Sequence, residues 1–276
     1  MSILEGKTPA QVLGLLGGRI EIDFSSQVEK CLEIDVVQIG LKAGGTCLSL
    51  ASRPVIVVPR TDNWFRQMFA IAHEIGHIAN DTTIKRDDEI SEQERGANRF
   101  AADLLMPKVQ VERLVEDKAE PARFAKFLWD WGVSVAALVN RLNKFDLPTP
   151  DFLFEDDKTV VTQKFLGKHL KEIGLTWTDV QRRASLSGAQ RFPAYLLAKL
   201  YEQVNSGKAP AGTYEWALGV KNTATTEEES VRQTPELLSA DEVLELLELL
   251  EQKRLVSSQE RADILAQLRA QGRHIL

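Results

Sequence analysis

Apolar and polar positions along this chain repeat with two periods, and the changes between them mark out the elements. Residues 8–17 read as a short helix closed by Gly17-Gly18. Residues 19–24 alternate strictly, which predicts a half-buried strand. Residues 26–42 fit either a helix followed by a strand or one helix. Two β-rich runs, 46–50 and 54–58, flank Ala51-Ser52-Arg53 and predict a hairpin. Asp62-Asn63 offers an N-cap, and a long apolar helix follows to about Ala79. Residues 80–90 are polar and read as a loop, and 91–106 as a helix stopped by Pro107. Residues 121–131, a turn at Gly132-Val133-Ser134, and residues 135–144 predict a pair of helices. Leu147-Pro148-Thr149-Pro150 reads as a linker.

Residues 151–222 then read as a small, mostly helical second domain with short strands at 152–154 and 160–161. Residues 223–276 read as an acidic helical tail. No repeat of fixed period is present. The fold class predicted is α+β, mainly helical: a small N-terminal sheet packed on the helix ending at Ala79, followed by helical modules. Residues 1–147 form the first domain in this reading.

Composition narrows the classes. The chain has 276 residues, 43% hydrophobic and 27% charged, which suits a packed core and argues against overall disorder. No apolar run approaches the ~20 residues of a membrane helix, and no basic segment followed by an apolar stretch opens the chain. The cytoplasm is the default expectation. Two cysteines, Cys31 and Cys47, exclude a disulfide framework and a cysteine-based zinc module. The net charge of −6 argues against a dedicated nucleic-acid binder, though not against one small basic module.

Two of the four histidines lie within five residues of each other, in His73-Glu74-Ile75-Gly76-His77. On a helix, positions i and i+4 share a face one turn apart, so two imidazoles can ligate one Zn²⁺. Glu74 then lies beside the water that zinc acidifies and can take its proton. The plainer alternative is a pair of histidines on a solvated face. Phe65, Met68, Ala72, Ile75 and Ala79 form one apolar face, and Phe69, Ala70 and Gly76 make the remainder apolar too. Such a helix is buried, and its polar side chains need partners.

A catalytic zinc takes three protein ligands. His169 and His274 lie far along the chain, and the nearer candidates are Asp81, Asp87, Asp88, Glu89, Glu92 and Glu94. Glu94 lies three, seven and eleven residues before Ala97, Ala101 and Leu105, at the head of the core-facing stripe, whereas Glu92 shares the face of Gly96, Arg99 and Asp103. Ser91-Glu92-Gln93-Glu94 is also a capping box, in which Glu94 would bond the helix start instead. The residues alone leave both readings open.

The stretch from Phe65 through His73-Glu74-Ile75-Gly76-His77, followed by Glu94-Arg95-Gly96-Ala97-Asn98-Arg99-Phe100-Ala101-Ala102-Asp103-Leu104-Leu105-Met106-Pro107, resembles the ImmA/IrrE family of metallopeptidases. A third block, from Trp131 to Leu142, is similar to that family's next segment. The resemblance covers roughly residues 20–147. It implies a gluzincin-type site with Glu94 as third ligand, so that zinc is held by His73, His77 and Glu94 with Glu74 as the base. It also implies a protein substrate, of the DNA-binding repressor type. The strand 54–58 is the expected place for an extended peptide to pair. The chain departs from the family in three respects: no helix-turn-helix precedes the peptidase segment, residues 1–147 contain no tyrosine, and residues 223–276 match nothing in the family.

The helix pair carries a rival reading. Its spacing is that of a helix-turn-helix, and Asn140, Arg141, Asn143 and Lys144 are expected to point outward, with a local net charge of +2 over 121–146. A packed helical hairpin explains it better, so nucleic-acid binding is the alternative rather than the main expectation. A DNA-binding regulator or an antitoxin-type interaction protein with a structural or idle zinc site is the runner-up. The tail carries Arg232 against nine acidic residues between 226 and 252. It reads as a helical hairpin docked on the second domain, or as a landing site for a basic partner.

Overall fold

The structure is a computed structural model that describes residues 3–41, 45–50, 53–80, 87–116 and 119–220. The tail 223–276, His274 and the part of the expected loop at 81–86 lie outside the described residues. Thr8 opens α1 (Pro9–Leu15) through a capping box with Gln11. The predicted strand at 19–24 is absent. Asp23 instead accepts a hydrogen bond from the Ser26 amide and caps α2 (Phe24–Leu32). Ile20 is buried while Ile22 is 47% exposed, and among the described residues no strand pairs with them. Residues 26–42 resolve into the end of α2 and then β1 (Asp35–Ile39), with Glu33 in the left-handed conformation between them.

The expected hairpin forms from β2 (Thr46–Leu50) and β3 (Arg53–Pro59), with Cys47 opposite Ile56. β3 also pairs in parallel with β1, Val37 opposite Val57, giving the order β1-β3-β2. The strand expected to receive a peptide therefore sits in the middle of the sheet, with both edges used. β2 is an edge strand, paired only with β3 among the described residues. On the other side, Gln38 of β1 exchanges two backbone hydrogen bonds with Arg191, at 2.8 and 2.9 Å.

Asn63 caps α3 (Trp64–Ala79), accepting from the Arg66 amide. Only Arg66 of this helix is exposed, as its all-round apolar sequence requires. α4 (Asp87–Leu105) starts four residues earlier than expected, so Ser91 lies inside the helix and cannot be its N-cap. That removes the capping-box reading of Glu94. A helix not anticipated, α5 (Lys108–Glu116), buries Val111 and Leu114 after Pro107.

The expected helix pair is α6 (Pro121–Trp131) and α7 (Val135–Lys144). Gly132 adopts φ +62 at the turn, and Ser134 caps α7 through the Ala137 amide. Arg141 does not point outward. It is 3% exposed, is ion-paired with Asp103, donates to the Met106 carbonyl at 3.0 Å and lies over the Phe145 ring. The C-terminal ends of α4 and α7 thereby meet on one guanidinium.

Beyond the linker, the short strands are β4 (Phe154–Glu155) and β5 (Lys158–Thr159), offset by a few residues from the expected ones. α8 (Thr162–His169), α9 (Trp177–Gly188), α10 (Ala194–Asn205) and α11 (Gly212–Ala217) complete the described chain. Leu153, Phe165, Leu166 and Val180 join the same buried cluster as α3 and α6. The architecture is α+β and mainly helical, with the small sheet against α3.

Candidate metal centre

α3 and α4 make the most extensive helix–helix contact among the described residues. Its cause is two small residues. A methyl on Gly76 would lie 3.0 Å from Phe100 Cβ and 3.1 Å from Ala97 Cα, so the backbones approach only because position 76 has no side chain. This crossing sets the face of α4 that carries Glu94 and Asn98 against the face of α3 that carries His73 and His77.

The three expected ligands come together. His73 Nε2 and His77 Nε2 lie 3.0 Å apart. Glu94 reaches them with one oxygen each, Oε2 at 3.1 Å from His73 and Oε1 at 3.3 Å from His77. All the ligand atoms lie within 4.8 Å of one another. Two ligands of a tetrahedral zinc at ~2.0–2.1 Å are about 3.3 Å apart, so the observed spacings fit a single small cation within a few tenths of an ångström. A nitrogen–nitrogen–carboxylate set is also the donor chemistry that zinc takes. The histidine side chains are 15% and 21% exposed and Glu94 is 51% exposed, so the group opens to solvent on the side of α4. Glu94 heads the buried stripe of Ala97, Ala101 and Leu105, but itself stands at the rim rather than in the core. Glu92 is exposed and outside the group, and His169 lies on α8 beside Glu172.

Sequence reasoning missed Asn98. Its Oδ1 lies 3.0 Å from His73 Nδ1. An amide oxygen only accepts, so Nδ1 carries the proton and Nε2 turns its lone pair to the centre. The available signal was the spacing: Asn98 follows Glu94 by four residues and shares its face.

Glu74 is 6% exposed, a buried carboxylate between α3 and the sheet. Gly45, the residue before β2, closes over it: a methyl there would lie 3.1 Å from Glu74 Oε1 and 3.2 Å from Val58 Cγ1.

Residues 29–143 match the model of the peptidase family M78, described as the IrrE N-terminal-like domain. That segment is similar to the ImmA/IrrE family. No curated protein matches the chain as a relative. The matched segment runs from α2 to α7, so the helix pair lies inside the match rather than beside it. The match supports a metallopeptidase acting on a protein. Among the described residues, no helix is long and apolar enough to cross a membrane.

Proposed function

We propose that the chain is a zinc-dependent metalloendopeptidase, with His73, His77 and Glu94 as ligands and Glu74 as general base. The observation that carries this reading is the convergence of two Nε2 atoms and two carboxylate oxygens at 3.0–3.3 Å spacings beside a buried glutamate. A bound zinc would polarise the scissile carbonyl and make water a stronger acid. Glu74 takes a proton from the attacking water as its oxygen bonds the carbonyl carbon. When the C–N bond breaks, the carboxyl group of Glu74 returns that proton to the amine nitrogen. Asn98 holds the His73 ring in one tautomer and orientation throughout.

The substrate in this reading is an extended protein segment, and the DNA-binding repressor type is the candidate that the family resemblance offers. The edge strand β2 is the one on which it would be laid, because it is the last strand of the order β1-β3-β2 among the described residues and its start adjoins Glu74. The DNA-binding reading loses its main cation, since Arg141 is buried and ion-paired and leaves Lys144 as the exposed base on the outer side of α7. Metal analysis of the purified protein tests the ligand set. About one zinc per chain is expected, and none in His77→Ala. Near-stoichiometric zinc in a His73→Ala/His77→Ala double variant would sink the site.

A further inference from the structure

Two of the three nearest contacts at position 45 are to Glu74. The nearest atoms that a side chain would meet there are Glu74 Oε1 at 3.1 Å, Val58 Cγ1 at 3.2 Å and Glu74 Cγ at 3.3 Å. Ordinary contact for a methyl begins a few tenths of an ångström farther out, so one of these neighbours has to give way. Val58 is fully buried on the central strand, which is hydrogen-bonded on both sides. The carboxylate is the end of a longer side chain and is the group that would move.

We propose that Gly45 is a positioning residue for Glu74: its bare backbone forms the wall that fixes where the carboxylate stands. This rests on the peptidase reading, in which Glu74 is the base. A group that transfers a proton in the transition state must be held to within about half an ångström. Misplacing it by about 1 Å costs on the order of a hundredfold in rate. A side chain at position 45 therefore acts on turnover, while the ligands His73, His77 and Glu94, which stand on α3 and α4, keep the metal. The same close approach accounts for a buried carboxylate that is polar yet nearly sealed from solvent, with the sheet on one side and its own helix on the other.

The test uses the full chain loaded with zinc and a peptide library prepared from a whole proteome, from which the best-cleaved peptide is synthesised as the probe. Gly45→Ala is expected to lower kcat by about tenfold and Gly45→Val by more, with KM and zinc content changed less than twofold. In a Glu74→Asp background the carboxylate is one methylene shorter and withdraws from the wall, so adding Gly45→Ala is expected to cost less than twofold further. Equal losses in the Glu74 and Glu74→Asp backgrounds would overturn the proposal, as would kcat within twofold of wild type for both variants, or a change confined to KM. Thermal melting supplies a readout free of activity: Gly45→Ala should lower Tm clearly more in the wild-type chain than in Glu74→Ala, where only the Val58 contact remains. If the wild type cleaves no peptide in a Glu74-dependent way, the peptidase reading itself fails, and the melting cycle still reports whether positions 45 and 74 press on each other.

Discussion

At the scale of single residues, the centre depends on which carboxylate faces the histidines and on what holds their rings. Glu94→Gln should weaken zinc binding strongly, because an amide oxygen is a poorer ligand than a carboxylate, and Glu92→Gln should hardly change it. Zinc titration of both variants checks this, and equal affinities would show that Glu94 is not a ligand. Asn98→Ala removes the acceptor that orients His73 and is expected to cost about 10–100-fold in zinc affinity, with no change in the ligand count. The closeness of His73 and His77 and the burial of Glu74 were legible in the sequence, because a one-turn spacing on an apolar helix sets both. Asn98 was not, because its role depends on a tertiary crossing rather than on its own helix. Arg141 was misplaced for a related reason: nothing local reveals that Asp103 and the Met106 carbonyl wait behind it.

At the scale of elements, the α3–α4 crossing sets the geometry of the group formed by His73, His77 and Glu94. Gly76→Val should push α4 away and separate Glu94 from the histidines, losing zinc while the helices themselves persist. Circular dichroism with metal analysis would distinguish that from unfolding, and a zinc-replete Gly76→Val would show that the close approach is unnecessary. Arg183 on α9 tests a different contact. It is 1% exposed, donates to the Trp129 carbonyl near the end of α6 and lies between the rings of Trp64 and Trp129. Burial pushes its pKa down to about 10. Because the folded value is below the unfolded one, the cost of its charge is present at neutral pH and falls only as pH rises through about 10. Arg183→Met, which keeps the volume without the charge, should melt no lower than wild type, whereas Arg183→Ala should melt several degrees lower because it leaves a cavity. Elements with a strong local signal, such as α3, the hairpin and the α6–α7 turn, were readable from the chain. The strand expected at 19–24 was not real, because alternation over six residues does not supply a partner strand, and the start of α4 was obscured by the polar residues of its first turn.

At the scale of the whole molecule, the family match ends at residue 143, but the packing does not. Thr162 accepts from the Val135 amide, Gln67 of α3 donates to the Ser187 carbonyl at 2.7 Å, and Arg191 is ion-paired with Glu29. Residues 151–220 thus close the core beneath α3 and cap the edge of β1. Ending the chain at residue 150 should expose Trp64, Phe124 and Trp129 and abolish cooperative unfolding, measured by calorimetry; a fragment 1–150 melting within a few degrees of the full chain would contradict this. None of these long-range contacts has a sequence signature, because each joins residues more than twenty positions apart through backbone atoms or single charges. The central claim is that one carboxylate on α3 drives peptide hydrolysis at a metal held by its neighbours, and the direct measurement is cleavage by wild type and Glu74→Gln matched for zinc content. The expected result is equal zinc with cleavage lost by at least a hundredfold in Glu74→Gln, in line with the ~10²–10⁴-fold contribution of a general base. Cleavage within tenfold of wild type would contradict it.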